Sequence, residues 1–199
     1  MSVVGMLVTG VGGQGIILAS DIIGEAAMSA GYDVKKTDTL GMAQRGGSVV
    51  SHVRIGEKVR SPLISEGQVD VLLAFEKLEA ARWANFLHDG STVIINEHAQ
   101  PPLAVNLGYE KYPGDDEIKA LLNQRTPKVY YVDGNGQARR AGDVRALNSY
   151  MLGCASSFLP LETSVWKDTI AARVPARFKQ INMTAFEAGK KDIADVSRR

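Results

Sequence analysis

The chain has 199 residues, of which 45% are hydrophobic and 23% are charged, and its formal net charge is +1. This length suits one domain with a sizeable core, and the dispersed, balanced charge argues against nucleic acid as a partner. The single cysteine, Cys154, excludes an internal disulfide and any cysteine-ligated zinc or iron–sulfur site built from this chain alone. No cationic leader precedes the first apolar run, and no run approaches a membrane span of roughly 20 residues, so we expect a cytoplasmic protein without a membrane partner.

The start of the chain has the pattern of a strand, a glycine turn and a helix. Residues 3–8 form a short, uncharged, β-branched run that is typical of a strand buried on both faces of a sheet. Apolar residues and alanines dominate 16–30, which predicts a largely covered helix. A second strand is predicted over 32–39, with Asp38 near its end.

From residue 46 the pattern changes to a period of two, which predicts a strand with Val49, Ser51, Val53 and Ile55 on one face and Val50, His52 and Arg54 on the other. The turn at 56–58 and the run 59–64 then predict a β-hairpin, with Pro62 suited to an edge. Such an antiparallel hairpin would be an insertion in an otherwise α/β chain.

An α/β rhythm resumes after the hairpin. It predicts, in order, a strand over 69–75, a helix over 77–87, a strand over 92–96, a helix over 115–124 and a strand over 128–132. Apart from the last helix and strand, the passage 101–145 is rich in loops and resembles an insertion.

The C-terminal part is predicted to be helical because apolar residues recur there every three or four positions. Cys154 falls among them and is expected to be a core residue. We therefore predict a Rossmann-like three-layer α/β fold with a mainly parallel sheet, an inserted β-hairpin and a helical C-terminal end. A single domain would span 1–189, and 190–199 would form a polar tail.

The glycine turn at 10–15 satisfies the dinucleotide-binding pattern G-x-G-x-x-G between a strand and a helix. Glycines allow the backbone N–H groups to approach an anion at a helix N-terminus, and Asp38 lies where an acid could bind a ribose. Two positions of the turn depart from the usual small or apolar residues, so a turn that serves only close packing remains an alternative. The candidate binding residues are Gly10, Gly12, Gly13, Gln14, Gly15 and Asp38.

A second candidate segment follows Asp38. It contains Gln44, Arg45, Gly46 and Gly47, so a guanidinium is flanked by flexible backbone with exposed donors. This arrangement suits a carboxylate, a phosphate or an acidic group of a neighbouring subunit. A surface arginine at the entry of a hairpin explains the same residues equally well.

The sequence contains no recognisable catalytic or metal-binding motif. His52, His88 and His98 have no acid or nucleophile beside them and favour structural roles. No serine elbow, Walker lysine, zinc-ligand spacing or pair of carboxylates is visible. Any chemistry is therefore expected to reside elsewhere than in this chain.

Four stretches together resemble a known family. These are GVGGQG at 10–15, GMAQRGGSVVSHVR at 41–54, SPLI at 61–64 and DVLLAFE at 70–76. They resemble the gamma-type domain of 2-oxoacid:ferredoxin oxidoreductases, most closely the beta subunits of the indolepyruvate ferredoxin oxidoreductases.

The resemblance implies an accessory subunit that is not catalytic alone. The complex would oxidatively decarboxylate an aryl 2-oxoacid such as indolepyruvate with coenzyme A, yielding acyl-CoA, carbon dioxide and reduced ferredoxin. Thiamine diphosphate and iron–sulfur clusters are expected in a large alpha-type partner subunit, through which the complex meets ferredoxin. The glycine turn could then face a phosphate of coenzyme A.

Three alternatives remain open at this point. The chain could be the gamma subunit of a pyruvate, 2-oxoisovalerate or 2-oxoglutarate oxidoreductase. It could instead be a free-standing dinucleotide-binding protein that uses Asp38. It could also be an assembly module whose glycine turn binds nothing.

Overall fold

A computed structural model describes residues 3–40 and 47–198 of the chain. The strands in these residues are β1 (Val4–Val11), β2 (Asp33–Leu40), β3 (Ser48–Gly56), β4 (Val69–Ala74), β5 (Leu87–Asn96) and β6 (Lys128–Val132). The helices are α1 (Ile16–Ser29), α2 (Lys77–Arg82), α3 (Leu103–Asn106), α4 (Asp115–Asn123), α5 (Gly134–Ala141), α6 (Leu147–Ser156), α7 (Thr163–Arg173) and α8 (Lys179–Val196).

The strands form one sheet in the order β2-β3-β1-β4-β5-β6. β1, β4, β5 and β6 pair in parallel, whereas β3 is antiparallel to both of its neighbours. The carboxyl ends of the parallel strands therefore share one edge of the sheet, where α/β proteins commonly bind ligands.

Helices cover both faces of the sheet. Alternate residues of β1 point to opposite sides: Met6 and Val8 pack in the core beneath α1, α6, α7 and α8, whereas Leu7 packs beneath α2 and α4. This confirms the predicted three-layer α/β fold with its helical C-terminal end. Within the described ranges, no helix has both the length and the apolar character needed to cross a bilayer.

The predicted antiparallel strand is present as β3, but its partner differs from the expected one. β3 pairs with β1 on one edge, where Val4 faces Ile55, and with β2 on the other. A strand has only two edges, so none remains for the run 59–64, and the prediction of a strand there was wrong. The run is held by side chains instead: the Val59 N–H donates to the Asp33 carboxylate (2.7 Å) and the Ile64 N–H donates to His52 Nδ1 (3.3 Å).

Part of the passage 101–145 belongs to the sheet. The predicted helix and strand within it are confirmed as α4 and β6, and β6 forms the sheet edge beside β5. α5 follows at once and was not predicted, because its buried residues, Gly134 and Ala138, are small and give no pattern of large apolar side chains.

The polar tail predicted from residue 190 also requires correction. α8 continues to Val196, and Ile193 is fully buried. Asp192 accepts hydrogen bonds from the Tyr150 hydroxyl (3.0 Å) and from Gln137 Nε2 (2.6 Å). The polar composition of this stretch therefore reflects one solvated helix face.

Candidate functional site

The glycine turn connects β1 to α1 at the carboxyl edge of the sheet. Gly13 and Gly15 have positive φ values of 104° and 80°. Gly15 also lies against Asn148 of α6, whose Nδ2 donates to the Gly15 carbonyl at 2.9 Å. A Cβ atom at residue 15 would lie 2.3 Å from that nitrogen, so both conformation and space require glycine there.

Internal hydrogen bonds hold the turn in shape. The Gln14 side-chain oxygen accepts from the Val11 N–H (2.8 Å), and the Gln14 N–H donates to the Val11 carbonyl (3.0 Å). The Gly12 N–H donates to the Gly47 carbonyl (2.8 Å). The backbone donors of Gly12 and Gln14, which we expected to be available to a ligand, are therefore already used.

The remaining donors of the turn are available. Within the described part of the chain, the N–H groups of Gly13 and Gly15 have no hydrogen-bond acceptor. Gly15 is the N-cap of α1 and supplies no side-chain cap, so the positive end of the helix dipole is uncompensated by a side chain. These groups favour an anionic ligand.

A cleft of about 470 Å³ opens beside the turn. Its far wall comes from the segment after β5 and from α5 and the residues that follow it. The polar side chains that line this wall are His98, Gln100, Asn135, Arg139, Arg145 and Asn148. The cleft thus lies at the carboxyl edge of the sheet, and each of these polar side chains can donate a hydrogen bond.

Its two cations differ in their surroundings. Arg145 forms a bidentate ion pair with Asp143, whose two carboxylate oxygens both lie 3.0 Å from Nε, and its guanidinium stacks 4.6 Å from the Phe178 ring centroid. The Arg145 guanidinium lowers the pKa of Asp143 to about 2, so this pair stays ionised at neutral pH. Arg139 has no carboxylate partner among the described residues and is the more available cation.

Two buried glutamates support the cleft from the N-terminus of α2. Glu76 accepts from the N–H groups of Glu79 (2.8 Å) and Gln100 (3.0 Å) and from the Tyr112 hydroxyl. Glu79 accepts from Arg82 (2.7 Å) and from the Ser48 hydroxyl at the start of β3. Burial raises the pKa of Glu79. The pair links α2 to one cleft wall and to β3.

Only some of the predicted binding residues line the cleft. Gly10 is a close-packing position, because a Cβ there would lie 2.6 Å from both Gln14 Oε1 and Ile16 Cδ1. Gly13, Gln14 and Gly15 line the cleft.

Asp38 does not occupy the position of a ribose-binding acid. β3 separates β2 from β1, so Asp38 lies two strand spacings, about 10 Å, from the strand that leads into the turn. Its carboxylate accepts from the Ser51 hydroxyl (2.6 Å) and from Lys36 Nζ (2.8 Å). This corrects the expectation for a dinucleotide-binding fold.

Most of the second candidate segment lies outside the described residues. Gln44, Arg45 and Gly46 are not among the described residues. Gly47 is described, and its carbonyl accepts the hydrogen bond from Gly12.

Sequence reasoning did not identify the far wall of the cleft. From the sequence, His98 was expected to have a structural role, and Arg139 was not singled out. The available signal was the position of His98 and Asn135 just after two predicted strands, at the edge where the glycine turn also lies.

Other chemistry is weakly supported. In the described ranges no group of three or more His, Cys, Asp or Glu residues could hold a metal ion. Cys154 is buried, its thiol donates to the Gly189 carbonyl (3.3 Å), and burial raises its pKa. The predicted core role of Cys154 is therefore confirmed.

The fold and cleft define an α/β protein with a cleft suited to an anion at the carboxyl edge of its sheet. Over residues 5–191 the chain matches the family described as pyruvate ferredoxin/flavodoxin oxidoreductase. The chain belongs to this family.

The relatives within the family are separate small subunits. The chain is 39% identical over 189 residues to the indolepyruvate oxidoreductase subunit IorB of Thermococcus kodakarensis, and 94% of each chain is aligned. It is 41% identical to the subunit of the same name from Archaeoglobus fulgidus, with 92% of each chain aligned. Identity falls to 26% for the 2-oxoglutarate synthase subunit KorC of Methanothermobacter thermautotrophicus, over 96% of this chain and 95% of that one. The chain is therefore of the accessory-subunit type.

Solved structures share the fold. The gamma subunit of a keto/oxoacid ferredoxin oxidoreductase from Geobacter sulfurreducens aligns with a TM-score of 0.71 at 22% identity, over 96% of this chain and 99% of that one. A 2-oxoglutarate:ferredoxin oxidoreductase chain from Magnetococcus marinus aligns with a TM-score of 0.78 at 19% identity, over 100% of this chain and 32% of the larger one. The same fold thus occurs both as a separate subunit and as one third of a longer chain.

Proposed function

We propose that the chain is the cluster-free accessory subunit of a thiamine-diphosphate-dependent indolepyruvate:ferredoxin oxidoreductase. The observation that carries this proposal is the 39–41% identity to subunits named for indolepyruvate, over nearly their full length, against 26% for a 2-oxoglutarate subunit. The reaction would convert the 2-oxoacid and coenzyme A into acyl-CoA, carbon dioxide and reduced ferredoxin.

The redox and decarboxylation centres would belong to a large alpha-type partner subunit. Cys154 is the only cysteine of this chain and is buried in its core, so this chain offers no thiolate ligands for a cluster. In the partner, thiamine diphosphate would supply the decarboxylation chemistry and the clusters would carry electrons to ferredoxin.

Within this chain, the proposed role of the cleft is to hold the phosphate-bearing part of coenzyme A. The unpaired N–H groups of Gly13 and Gly15, the α1 dipole and the Arg139 guanidinium are all suited to phosphate oxygens. Arg45 is proposed as a further contact, either to this ligand or to the partner subunit.

The experiment that tests the proposal is reconstitution with the large subunit. The assembled complex should reduce ferredoxin with indolepyruvate at a kcat/KM at least about tenfold above those for pyruvate, 2-oxoisovalerate and 2-oxoglutarate. A complex that prefers one of these smaller acids would assign the chain to that oxidoreductase instead.

An assembly module with an empty cleft is the second candidate, favoured by the close packing at Gly10 and Gly15. Calorimetric titration with coenzyme A, NAD(H), NADP(H) and FAD separates the candidates. Coenzyme A binding alone supports the proposal. The absence of any binding in the chain and in the complex favours the module, and tight nicotinamide or flavin binding would indicate a dinucleotide-binding protein despite the position of Asp38.

A further inference from the structure

Three polar side chains connect the buried edge of the sheet to the cleft. Asn96 is buried at the carboxyl end of β5, and its Nδ2 lies 3.2 Å from Asn135 Oδ1 in α5. Asn135 Nδ2 in turn lies 3.2 Å from Nδ1 of His98, which lines the cleft. The cleft histidine is thus connected to the fold through two carboxamides.

The main chain fixes the orientation of Asn96. Its Oδ1 accepts from the Gly134 N–H (2.9 Å), and its Nδ2 donates to the Phe75 carbonyl (3.2 Å). A backbone N–H can only donate and a carbonyl can only accept, so only this orientation satisfies both groups. The second hydrogen of Asn96 Nδ2 is therefore directed to Asn135.

The orientation of Asn96 determines the orientation of Asn135 and, through it, the tautomer of His98. Asn135 must present its oxygen to Asn96, so its nitrogen faces His98. That nitrogen can only donate, so His98 Nδ1 must accept and the neutral ring carries its proton on Nε2. The opposite tautomer would require both carboxamides to rotate. Such a rotation would place N–H against N–H at Gly134 and oxygen against oxygen at Phe75.

We infer that Asn96 and Asn135 hold His98 in the Nε2–H tautomer, and that this N–H is a neutral donor to the ligand in the cleft. In the described part of the chain Nε2 has no hydrogen-bond partner. The main chain of His98 is also fixed, because its N–H donates to the Asn96 carbonyl (2.7 Å) and its carbonyl accepts from the Lys77 N–H (3.1 Å).

The ligand of such a donor is rich in acceptors. Arg139 and the free N–H groups of the turn line the same cleft, so the ring adds a neutral donor to a set that suits a phosphate. The identification of this phosphate with coenzyme A rests on the proposed function. His98 would contact the ligand, whereas Asn96 and Asn135 are positioning residues.

The tautomer is tested directly by long-range ¹H–¹⁵N NMR of the full-length chain without ligand. The signals lost in His98→Ala assign the ring. We expect an unprotonated Nδ1 in the wild type, and a protonated Nδ1 in Asn135→Asp, because a carboxylate can only accept from it. A wild-type ring that is protonated on Nδ1, or that averages between both tautomers, overturns the inference.

The donor role is tested by calorimetric titration with coenzyme A. His98→Ala should weaken binding by about tenfold, the usual effect of losing one hydrogen bond to a charged group. His88→Ala is the control, since His88 lies near Asp70, away from the cleft, and should bind as the wild type does. If Arg139→Ala weakens binding and His98→Ala does not, the donor role is wrong and the proposed function stands. If neither variant weakens binding, the donor role of His98 and the proposed function of the cleft are both wrong.

Discussion

At the scale of single residues, the glycine turn combines two functions that its sequence cannot separate. Gly10 and Gly15 are required by neighbouring atoms, whereas Gly13 has open space around it and is required only by its φ of 104°. The side chain of Gln14, unusual for a dinucleotide fingerprint, closes the turn onto the Val11 N–H. The turn is therefore a packed structure with a few free donors on its outer side.

The difference between two of these glycines can be measured. Gly13→Ala should lower the free energy of unfolding by about 1 kcal/mol, the usual penalty for a left-handed alanine. Gly15→Ala should cost at least about 2 kcal/mol, because the new methyl group also displaces Asn148. Chemical denaturation of the two variants checks this, and equal losses would show that the contact with Asn148 is not tight.

The neighbouring arginines of α5 provide a matched pair for the cleft. Arg139 lines the cleft and Arg140 lies 3.9 Å from Asp133 instead. Arg139→Ala should weaken coenzyme A binding by about tenfold, and Arg140→Ala should leave it within about twofold. Titration calorimetry measures both. Similar losses in the two variants would indicate a general effect of charge without a specific contact.

At the scale of elements, the position of β3 determines which residues meet at the cleft. By entering between β1 and β2, β3 moves the end of β2 away from the turn and leaves Asp38 paired with Lys36. Residues that follow β5 and residues of α5 lie beside the turn in place of the end of β2. The cleft therefore opens toward the arginines of its far wall. Strand order, rather than the glycine motif, separates this site from a dinucleotide site.

The C-terminal helix contributes to stability beyond residue 190. Ile193→Ala should lower the free energy of unfolding by about 2–4 kcal/mol, because Ile193 is fully buried. Lys191→Ala, at an exposed position of the same helix, should change it by less than about 0.5 kcal/mol. If chemical denaturation shows equally small losses of unfolding free energy in both variants, residues 190–199 form a polar tail as predicted from the sequence.

The buried glutamate of α2 predicts a pH dependence of stability. The pKa of Glu79 is raised in the folded state, so the folded chain binds more protons and the contribution of Glu79 falls as pH rises from about 4.5 through its folded value. Glu79→Gln should remove this fall. Unfolding free energies of both proteins between pH 4 and 8 provide the test, and parallel curves would contradict it.

At the scale of the whole molecule, the sequence contained most of the fold. Hydrophobic periodicity located β1, α1, β4, β6 and the C-terminal helices, because each carries large apolar residues at the spacing of a strand or a helix. It could not locate α5, whose buried residues are only glycine and alanine, or assign the partners of β3, which depend on contacts distant in the chain. The glycine turn on one side of the cleft was predicted from the sequence. The opposite wall, with His98, Asn135 and Arg139, was not, because it depends on how the fold brings β5 and α5 beside the turn.

At the same scale, we propose that this chain supplies the coenzyme A cleft of an indolepyruvate oxidoreductase. The most direct measurement is coenzyme A-dependent ferredoxin reduction by the large subunit, alone, with the wild-type chain and with Arg139→Ala. We predict activity only with the chain, and an Arg139→Ala complex that assembles normally but has a Michaelis constant for coenzyme A raised about tenfold. Full activity of the large subunit alone, or an unchanged constant in the variant complex, would contradict the account.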